Sequence, residues 1–352
     1  VYSIALNEAK FVRRWAESAR YADLVLLADT GSRDKTRFIA KSLGVTTYRI
    51  DVTPWRFDVA RNASLALIPA DFDICIQLDL DEVLPEDWRE KVEAAWRAGN
   101  KWPLYRNVYT RFPDGKVRSH VNSFKIHPRK GFIWKYPIHE ILVQTDNEIH
   151  KRELIDLDID HLMDLSKPRR SYLNLLEAAV VEDPSDWRMA HYLTREYIKY
   201  KNWPKVLATA GQALSLNRGL DVEKAATNMW ASEACRWLGH WSFAESYATE
   251  AVNQAPSFYE AWHWRAHIAH LQSKWQDCNN FASKILTLDR QDHILVKPAV
   301  WEWWGYDLMA LSFNKLGEHK DAIKYGELAL AGNPENERLQ RNMKIYIEDS
   351  LK

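Results

Sequence analysis

The chain has no net charge, few cysteines and no long apolar run. Its 48 Lys and Arg balance 48 Asp and Glu. The balance holds in each half, with 25 of each sign in residues 1–165 and 23 of each in 166–352. A nucleic-acid binder that relies on bulk charge is therefore disfavoured, and only a local basic groove would reach a phosphate backbone. No stretch approaches the roughly 18 uninterrupted apolar residues of a membrane span. Three cysteines, Cys75, Cys235 and Cys278, are an odd number without metal-type spacing. They read as reduced, buried thiols of a cytoplasmic protein. A strand-like segment begins at once, with no signal-peptide pattern before it. With 46% hydrophobic and 27% charged positions over 352 residues, disorder is excluded and about two globular domains are expected.

Two periodicities divide the chain. Up to about residue 160, apolar or β-branched runs alternate with amphipathic stretches. Strands are expected at Tyr2 to Leu6, Leu24 to Ala28, Thr46 to Ile50 and Asp73 to Leu80. Helices are expected at Ala9 to Arg20, Lys35 to Leu43, Asp58 to Leu67 and Glu86 to Ala98, with Gly44 and Gly99 as stop signals. Strand then helix, four times over, calls for a largely parallel sheet with helices on both faces, which binds ligands beyond its C-terminal strand ends. After Gly99, turn signals at Pro113-Asp114-Gly115 and Lys130-Gly131 suggest an antiparallel extension.

From about Ser166 the strand pattern ends and repeats begin. LGHWSFAESYATEAVNQAP, ending at Pro256, and LGEHKDAIKYGELALAGNP, ending at Pro334, share a register of Leu-Gly, Ala, Ala and Pro. Copies near 187–220, 225–258, 259–292 and 303–336 carry Trp203, Trp241, Trp275 and His319 at the turn. Short insertions near Gly219 and in Gln291 to Val300 complete the spacing. The pattern resembles the tetratricopeptide repeat at its 34-residue period, and implies an all-α solenoid over residues 166–352 used as a binding surface.

Four motifs fall where strands of the first half end: LNE (Leu6 to Glu8), DTGSRDKT (Asp29 to Thr36), PWRFDVARN (Pro54 to Asn62) and LDLDE (Leu78 to Glu82). Asp29 to Thr36 also reads as a glycine turn in which Ser32 or Asp34 caps a helix. Residues two apart on an extended chain point the same way, so Asp79 and Asp81 are expected to converge on one point. Paired carboxylates suit a hard cation such as Mg²⁺ or Mn²⁺, which can bridge a diphosphate.

The four motifs in this order resemble family 2 glycosyltransferases of the GT-A fold, over residues 1–165. The resemblance implies a nucleotide-sugar donor, UDP-linked, with Asn7, Glu8, Asp29 and Arg61 at the nucleoside, Asp79 near the ribose or sugar, and Asp81 on Mn²⁺ or Mg²⁺. No Glu-Asp or Asp-Asp pair stands at the family's usual downstream base position. WKYPIHE (Trp134 to Glu140) and IDH (Ile159 to His161) stand there instead, so Glu140 becomes the expected general base, with His139 or His161 at the metal or diphosphate. A partly dehydrated cleft would lift such a carboxylate toward neutrality. Lys167, Arg169 and Arg170 read either as diphosphate partners or as a solvated linker.

In a tetratricopeptide-like register the first helix of each pair lines the concave face. That selects Arg188, His191, Arg195, Glu233, Arg236, Glu260, His263, His267, His270, Trp304 and Asp307 as an acceptor groove for a peptide or protein, a saccharide or a modified nucleobase. His263, His267 and His270 share one helical face. A zinc site there is disfavoured, because no Glu follows the first His. Eleven of the 17 tryptophans follow residue 166, where rings can stack on a ligand or pack between helices. The expected activity is transfer of a sugar with inversion. Its rivals are a tetratricopeptide adaptor with a degenerate nucleotide-sugar domain, and a nucleotidyltransferase, for which no Gly-rich phosphate loop is present.

Overall fold

The computed structural model describes residues 1–164, 172–289 and 299–352. The chain forms two compact units, Val1–Leu175 and Leu176–Lys352. The domain change expected at 165/166 and the basic cluster Lys167, Arg169 and Arg170 lie outside the described residues, as does most of the Gln291 to Val300 insertion.

Unit 1 opens with the alternation its sequence dictates. β1 (Tyr2–Ala5), α1 (Ala9–Ser18), β2 (Leu26–Asp29), α2 (Thr36–Ser42), β3 (Thr46–Arg49), α3 (Phe57–Ala66), β4 (Ile74–Ile76), β5 (Glu82–Val83) and α4 (Trp88–Arg97) follow one another. β1, β2 and β3 are parallel, with Ala5 opposite Asp29 and Asp29 opposite Arg49. β4 continues the sheet through a parallel bridge between Tyr2 and Gln77. Every residue of β2 is buried, as suits a parallel strand covered on both faces. Phe11, Val12, Trp15 and Ala16 form the buried stripe of α1. They join Leu27, Ile76, Leu78 and Trp88 in one core. Leu65 and Ile68 cover the other face beside Tyr2, Leu26 and Cys75. The fully buried Trp15 indole donates to the Leu78 carbonyl at 3.0 Å, fixing the chain just before Asp79.

The remainder of unit 1 is β6 (Leu104–Arg111), β7 (Val117–Ser123), β8 (Ile126–Pro128), β9 (Phe132–Lys135), β10 (Ile141–Gln144) and β11 (Leu154–His161). β6 and β7 form the antiparallel hairpin expected around Pro113-Asp114-Gly115. Lys130-Gly131 turns β8 into β9. β8 pairs antiparallel with β4, and β9 with β10. β11 departs from the antiparallel expectation: it runs parallel to β6, and its last residues pair with β5. That pairing carries His161 to Glu82.

Unit 2 contains helical pairs. α5 (Leu173–Glu182) crosses the division between units. It is followed by α6 (Trp187–Lys199), α7 (Trp203–Ser215), α8 (Asp221–Trp237), α9 (Trp241–Gln254), α10 (Tyr259–Leu271), α11 (Trp275–Ile285), α12 (Gly305–Lys315), α13 (His319–Gly332) and α14 (Glu337–Ser350). A π-helical stretch, Val300–Trp304, leads into α12. The residues expected at the repeat turns, Trp203, Trp241, Trp275 and His319, each open a second helix. Asp186 and Asn202 cap α6 and α7 with their side chains. Ala210, Ala244, Ala248, Ala282 and Ala322 are fully buried where paired helices meet. At Gly326 a Cβ would lie 2.3 Å from the Met343 sulfur, so α13 and α14 approach closely only because that side chain is missing. First helices also pack on first helices, α6 on α8, α8 on α10 and α10 on α12, which is the stacking of a solenoid. All three cysteines are free and buried, and burial pushes the Cys75 thiol up to about 11. Among the described residues no helix is long and apolar enough to cross a membrane.

Candidate active site

The candidate site assembles beyond the end of β4. The backbone from Asp79 to Glu82 is a turn, closed by the Glu82 amide donating to the Asp79 carbonyl at 2.9 Å. This corrects the expectation of an extended Asp79-Leu80-Asp81: a turn breaks the two-residue alternation, and the two carboxylates take different partners. Asp79 Oδ1 accepts from Arg61 Nη2 at 3.0 Å and Gln77 Nε2 at 2.9 Å, while Oδ2 accepts from Lys125 Nζ at 2.9 Å. Asp81 Oδ2 instead lies 3.3 Å from His161 Nε2. The Asp79 and Asp81 side chains each keep 32% exposure, so both are open to a ligand.

One guanidinium ties the site together. Arg61, on α3, donates through Nη2 to Asp79 and through Nε to Glu140 Oε1 at 2.6 Å. Its plane lies over the Trp134 ring, 5.0 Å from the ring centre. Its Nη1 is buried without a hydrogen-bond acceptor. Asn62, the next residue, exchanges two 2.8 Å hydrogen bonds with the Trp134 backbone and so registers α3 on β9. The PWRFDVARN motif therefore positions residues 134–140 against Asp79.

Two site residues escape the sequence reading. Lys125 Nζ bonds Asp79 and both oxygens of Glu82, at 2.7 and 2.8 Å. Glu82 is 1% exposed and also accepts from Asn107 at 2.7 Å and from the Asp79 amide at 2.8 Å. A lone Lys between Phe124 and Ile126 was the available signal, since a cation inside an apolar run needs an anion when buried. Burial acts to raise the Asp79 carboxyl, but Arg61 and Lys125 outweigh it and hold it far below the carboxylate range. Burial also opposes the charged form of His161, and Asp81 overrides it, so the imidazole is raised.

The other expected residues lie in two loops. Asn7, exposed and at φ +57°, donates from its amide to Ser32 Oγ at 2.8 Å and accepts from the Arg33 amide at 2.8 Å. The Glu8 amide donates to Thr36 Oγ1 at 2.7 Å. Asp29 is fully buried, its oxygens accepting from the Gly31 and Ser32 amides. Asp34 accepts from the Thr36 and Ala9 amides. The turn reading of Asp29 to Thr36 is what this loop shows, but the expected cap is not: Lys35 is the N-cap of α2, without a side-chain cap, and Asp34 ties the α2 start to the Ala9 amide instead. His139, at φ +53°, sets its ring edge-on to Tyr172 at 6.5 Å. Among the described residues, no three of Asp79, Asp81, His139 and His161 gather within metal-binding reach. Asp81 and His161 pair.

In unit 2 the expected groove resolves into distinct roles. His191 is 3% exposed, its Nδ1 2.7 Å from Thr227 Oγ1, so it is a packing residue between α6 and α8. Glu260 and Asp307 are buried as well, Asp307 in a forked pair with Arg338 at 2.7 and 3.0 Å. The register placed them on the open face, but first-helix stacking covers them. Arg236 is forked onto Glu233 at 2.6 and 2.8 Å, so its charge is already paired. Arg188 and Arg195 both lie over Tyr192. His263, His267 and His270 form a ladder of roughly parallel rings, each step 6.3 Å, with Trp304 4.7 Å from His263. Burial, then His270 and Arg236, lower His267 to about 4.

Comparison with known proteins accounts for unit 1. Residues 1–148 match the family described as Glycosyl transferase family 2. The first unit is a family 2 glycosyltransferase domain. The match supports glycosyltransferase activity. Similar solved structures include MamA, at 13% identity, covering 46% of this chain and 86% of that one with a TM-score of 0.39. A thermophilic TPR protein from Thermus thermophilus is similar at 19% identity, covering 51% and 89% with a TM-score of 0.37. YrrB, a TPR protein with an unusual peptide-binding site, is similar at 12% identity, covering 49% and 81% with a TM-score of 0.39. Unit 2 is a run of helices with the tetratricopeptide pattern, by its own 34-residue register and paired helices.

Proposed function

We propose that the protein is a metal-dependent, inverting glycosyltransferase that moves a hexosyl group from a UDP-sugar to an acceptor bound in part by the helical unit. The observation that carries this reading is the charge arrangement at the end of β4. Three carboxylates, Asp79, Glu82 and Glu140, share two cations, Arg61 and Lys125, with Asp81 beside His161. An acidic rim repels a diphosphate unless a cation comes with it. Asp81 would supply that cation a carboxylate oxygen at a partly exposed point, with His161 beside it. When bound, Mn²⁺ or Mg²⁺ supplies charge stabilisation to the departing diphosphate.

The chain's own residues perform the rest. Arg61 Nη1, a buried donor without an acceptor, is assigned to the donor's phosphate. Glu140, oriented by Arg61 Nε, takes the acceptor's proton as the acceptor atom attacks the anomeric carbon and the bond to the diphosphate oxygen breaks. Asn7, Glu8 and the Asp29 loop receive the nucleoside. Asp79 orients Arg61 rather than reaching the metal, and His139 contributes at the rim through Tyr172. The acceptor, a peptide or protein, a saccharide or a modified nucleobase, meets Arg188, Arg195, Arg236, the histidine ladder and Trp304. The buried free thiols accord with a reducing, cytoplasmic setting.

The adaptor reading draws on Asp29, whose carboxylate is occupied within its own loop. Thermal shift with UDP-sugars, with and without Mn²⁺, separates the two readings. A donor present at about 100 times its Kd stabilises the fold by about 2.7 kcal/mol. The expected outcome is a Mn²⁺-dependent rise in midpoint with slow donor hydrolysis, both lost in Asp81→Ala. A rise without hydrolysis, or no rise with any nucleotide sugar, overturns the transferase reading and favours the adaptor.

A further inference from the structure

Unit 1 carries a second constellation that the sugar-transfer site does not use. β10 ends at Gln144, opposite Phe132 of β9, and the Thr145 amide donates to the Gly131 carbonyl at 2.8 Å. The chain then places Asp146, Glu148 and His150 at alternate positions, with one ligand atom from each lying within 4.8 Å of the others. Gly131, at φ +79°, is what admits Asp146, since a Cβ there would lie 1.6 Å from Asp146 Oδ2. Gln144 Nε2 and the Glu148 amide donate to Asp146 Oδ1 at 2.5 and 3.2 Å, fixing its carboxylate.

Acidic loops are common, and these two carboxylates alone imply nothing. The imidazole distinguishes this one. The His150 side chain is 4% exposed, packed with its ring centre 5.3 Å from that of Phe132. Its Nε2 is buried without a hydrogen-bond partner. That nitrogen faces the carboxylates, 3.7 Å from Asp146 Oδ1 and 4.0 Å from Glu148 Oε2, beyond hydrogen-bond length from both. A buried ring nitrogen left unsatisfied has lost its water without replacement, and an ion is among the standard reasons one persists.

We propose that Asp146, Glu148 and His150 form a divalent-cation site of the zinc class that staples the β10–β11 connection together where it packs on Gly131 of the β8–β9 turn. The donor set selects the ion: imidazole with carboxylates suits Zn²⁺, whereas Mg²⁺ and Ca²⁺ favour all-oxygen shells. The spacing suits its size. Tetrahedral ligands about 2.0–2.1 Å from zinc stand about 3.4 Å apart, and the His150 separations of 3.7 and 4.0 Å lie slightly outside that spacing. Gln144 then acts as the outer partner that orients Asp146. The staple precedes β11, the strand that ends in His161, and shares no residue with Asp81 and its neighbours.

The test is competition titration of zinc chloride against a chromophoric chelator, using the full chain stripped of metal. It is run on the wild type and on Asp81→Asn, which removes the other candidate ligand. Both are expected to bind one equivalent tightly. Glu148→Gln, an exposed change that leaves the packing alone, is expected to weaken that equivalent tenfold or more, and His150→Ala to remove it. Should His150→Ala fail to fold, Glu148→Gln decides. Unchanged zinc affinity in Glu148→Gln, or no tight equivalent in Asp81→Asn, overturns the proposal.

Discussion

The two units solve the burial of polar groups in opposite ways. In unit 1 the charged residues at the rim are joined across long stretches of chain: Arg61 to Glu140, 79 residues apart, and Lys125 to Asp79, 46 apart. In unit 2 the comparable pairs are short-range, as in Arg236 with Glu233 three residues away, or they link neighbouring repeats, as in Arg338 with Asp307. Local pairs steady a helix surface and contribute a few tenths of a kcal/mol. Long-range buried pairs commit several elements to one arrangement, and removing one partner strands the other. Unit 1 thus concentrates its chemistry where the fold is most cross-linked. Unit 2 presents a regular face held by pairs within a helix or between neighbouring repeats.

The sharpest way to break that contrast is through activity. Asp81→Asn is expected to abolish transfer while the hydrogen-exchange protection of unit 1 stays put, because a carboxylate one-third exposed contributes to ligand binding rather than packing. Glu140→Gln is expected to slow transfer by roughly 10²- to 10⁴-fold with donor affinity nearly unchanged, the scale of general-base catalysis. Donor affinity falling in step with the rate would make Glu140 a holder of Arg61 instead. Against these, replacing Arg195, Arg236 and His267 together by Ala is expected to raise the acceptor's KM severalfold and leave donor hydrolysis alone. An equal loss of hydrolysis would show that the contrast between the units is false.

The same contrast explains what could be read from the chain. Unit 2 was legible because a solenoid is built from neighbour contacts: Ala210 and Ala244 stand one repeat apart and are buried for the same reason. Its errors arose where stacking buries the first-helix face, taking His191, Glu260 and Asp307 out of the groove. In unit 1 the strand and helix order followed from periodicity, and the positions of Asp79 and Asp81 at a strand end followed from it too. The partners of those aspartates did not. No local pattern joins Lys125 to Glu82 or Arg61 to Glu140, since each pair depends on strand order and register. Extended geometry was the wrong assumption for Asp79 to Asp81, because a turn begins where the β4 ladder stops.

A stability measurement sharpens the comparison next. Lys125→Met leaves Glu82, 1% exposed, without its cation, and losses of about 3–5 kcal/mol follow when one partner of a buried pair is removed. Hydrogen exchange resolved by unit is the measurement, because a single midpoint is ill-defined for a two-unit chain. Protection in unit 1 is expected to fall and that in unit 2 to persist. Adding Glu82→Gln to Lys125→Met is expected to recover part of the loss, since the stranded charge is then gone. A double variant no better than Lys125→Met alone would mean that packing, not charge, was lost.

The smallest effect is an acid one, and it again separates the units. His127 lies fully buried under β4; its Nδ1 donates to the Pro128 carbonyl at 2.6 Å, and its Nε2 accepts from Tyr2 at 3.0 Å. That arrangement fits the neutral ring, and burial lowers the imidazole to about 4. The unfolded chain takes up the proton near pH 6.5 while the folded chain resists until about 4. The contribution is therefore fully present above pH 6.5 and is lost as pH falls toward 4. Between pH 7.5 and 5.0 it amounts to about 2 kcal/mol of unit 1 stability. In unit 2, His267 is lowered to a similar value but keeps partial exposure, so solvent screening leaves it the lesser effect. Exchange measured at the two pH values is expected to show the greater loss in unit 1. His127→Asn, which retains a donor for Pro128, is expected to flatten that dependence. A slope unchanged in His127→Asn would assign the acid sensitivity to the carboxylates of the Arg61 and Lys125 network instead.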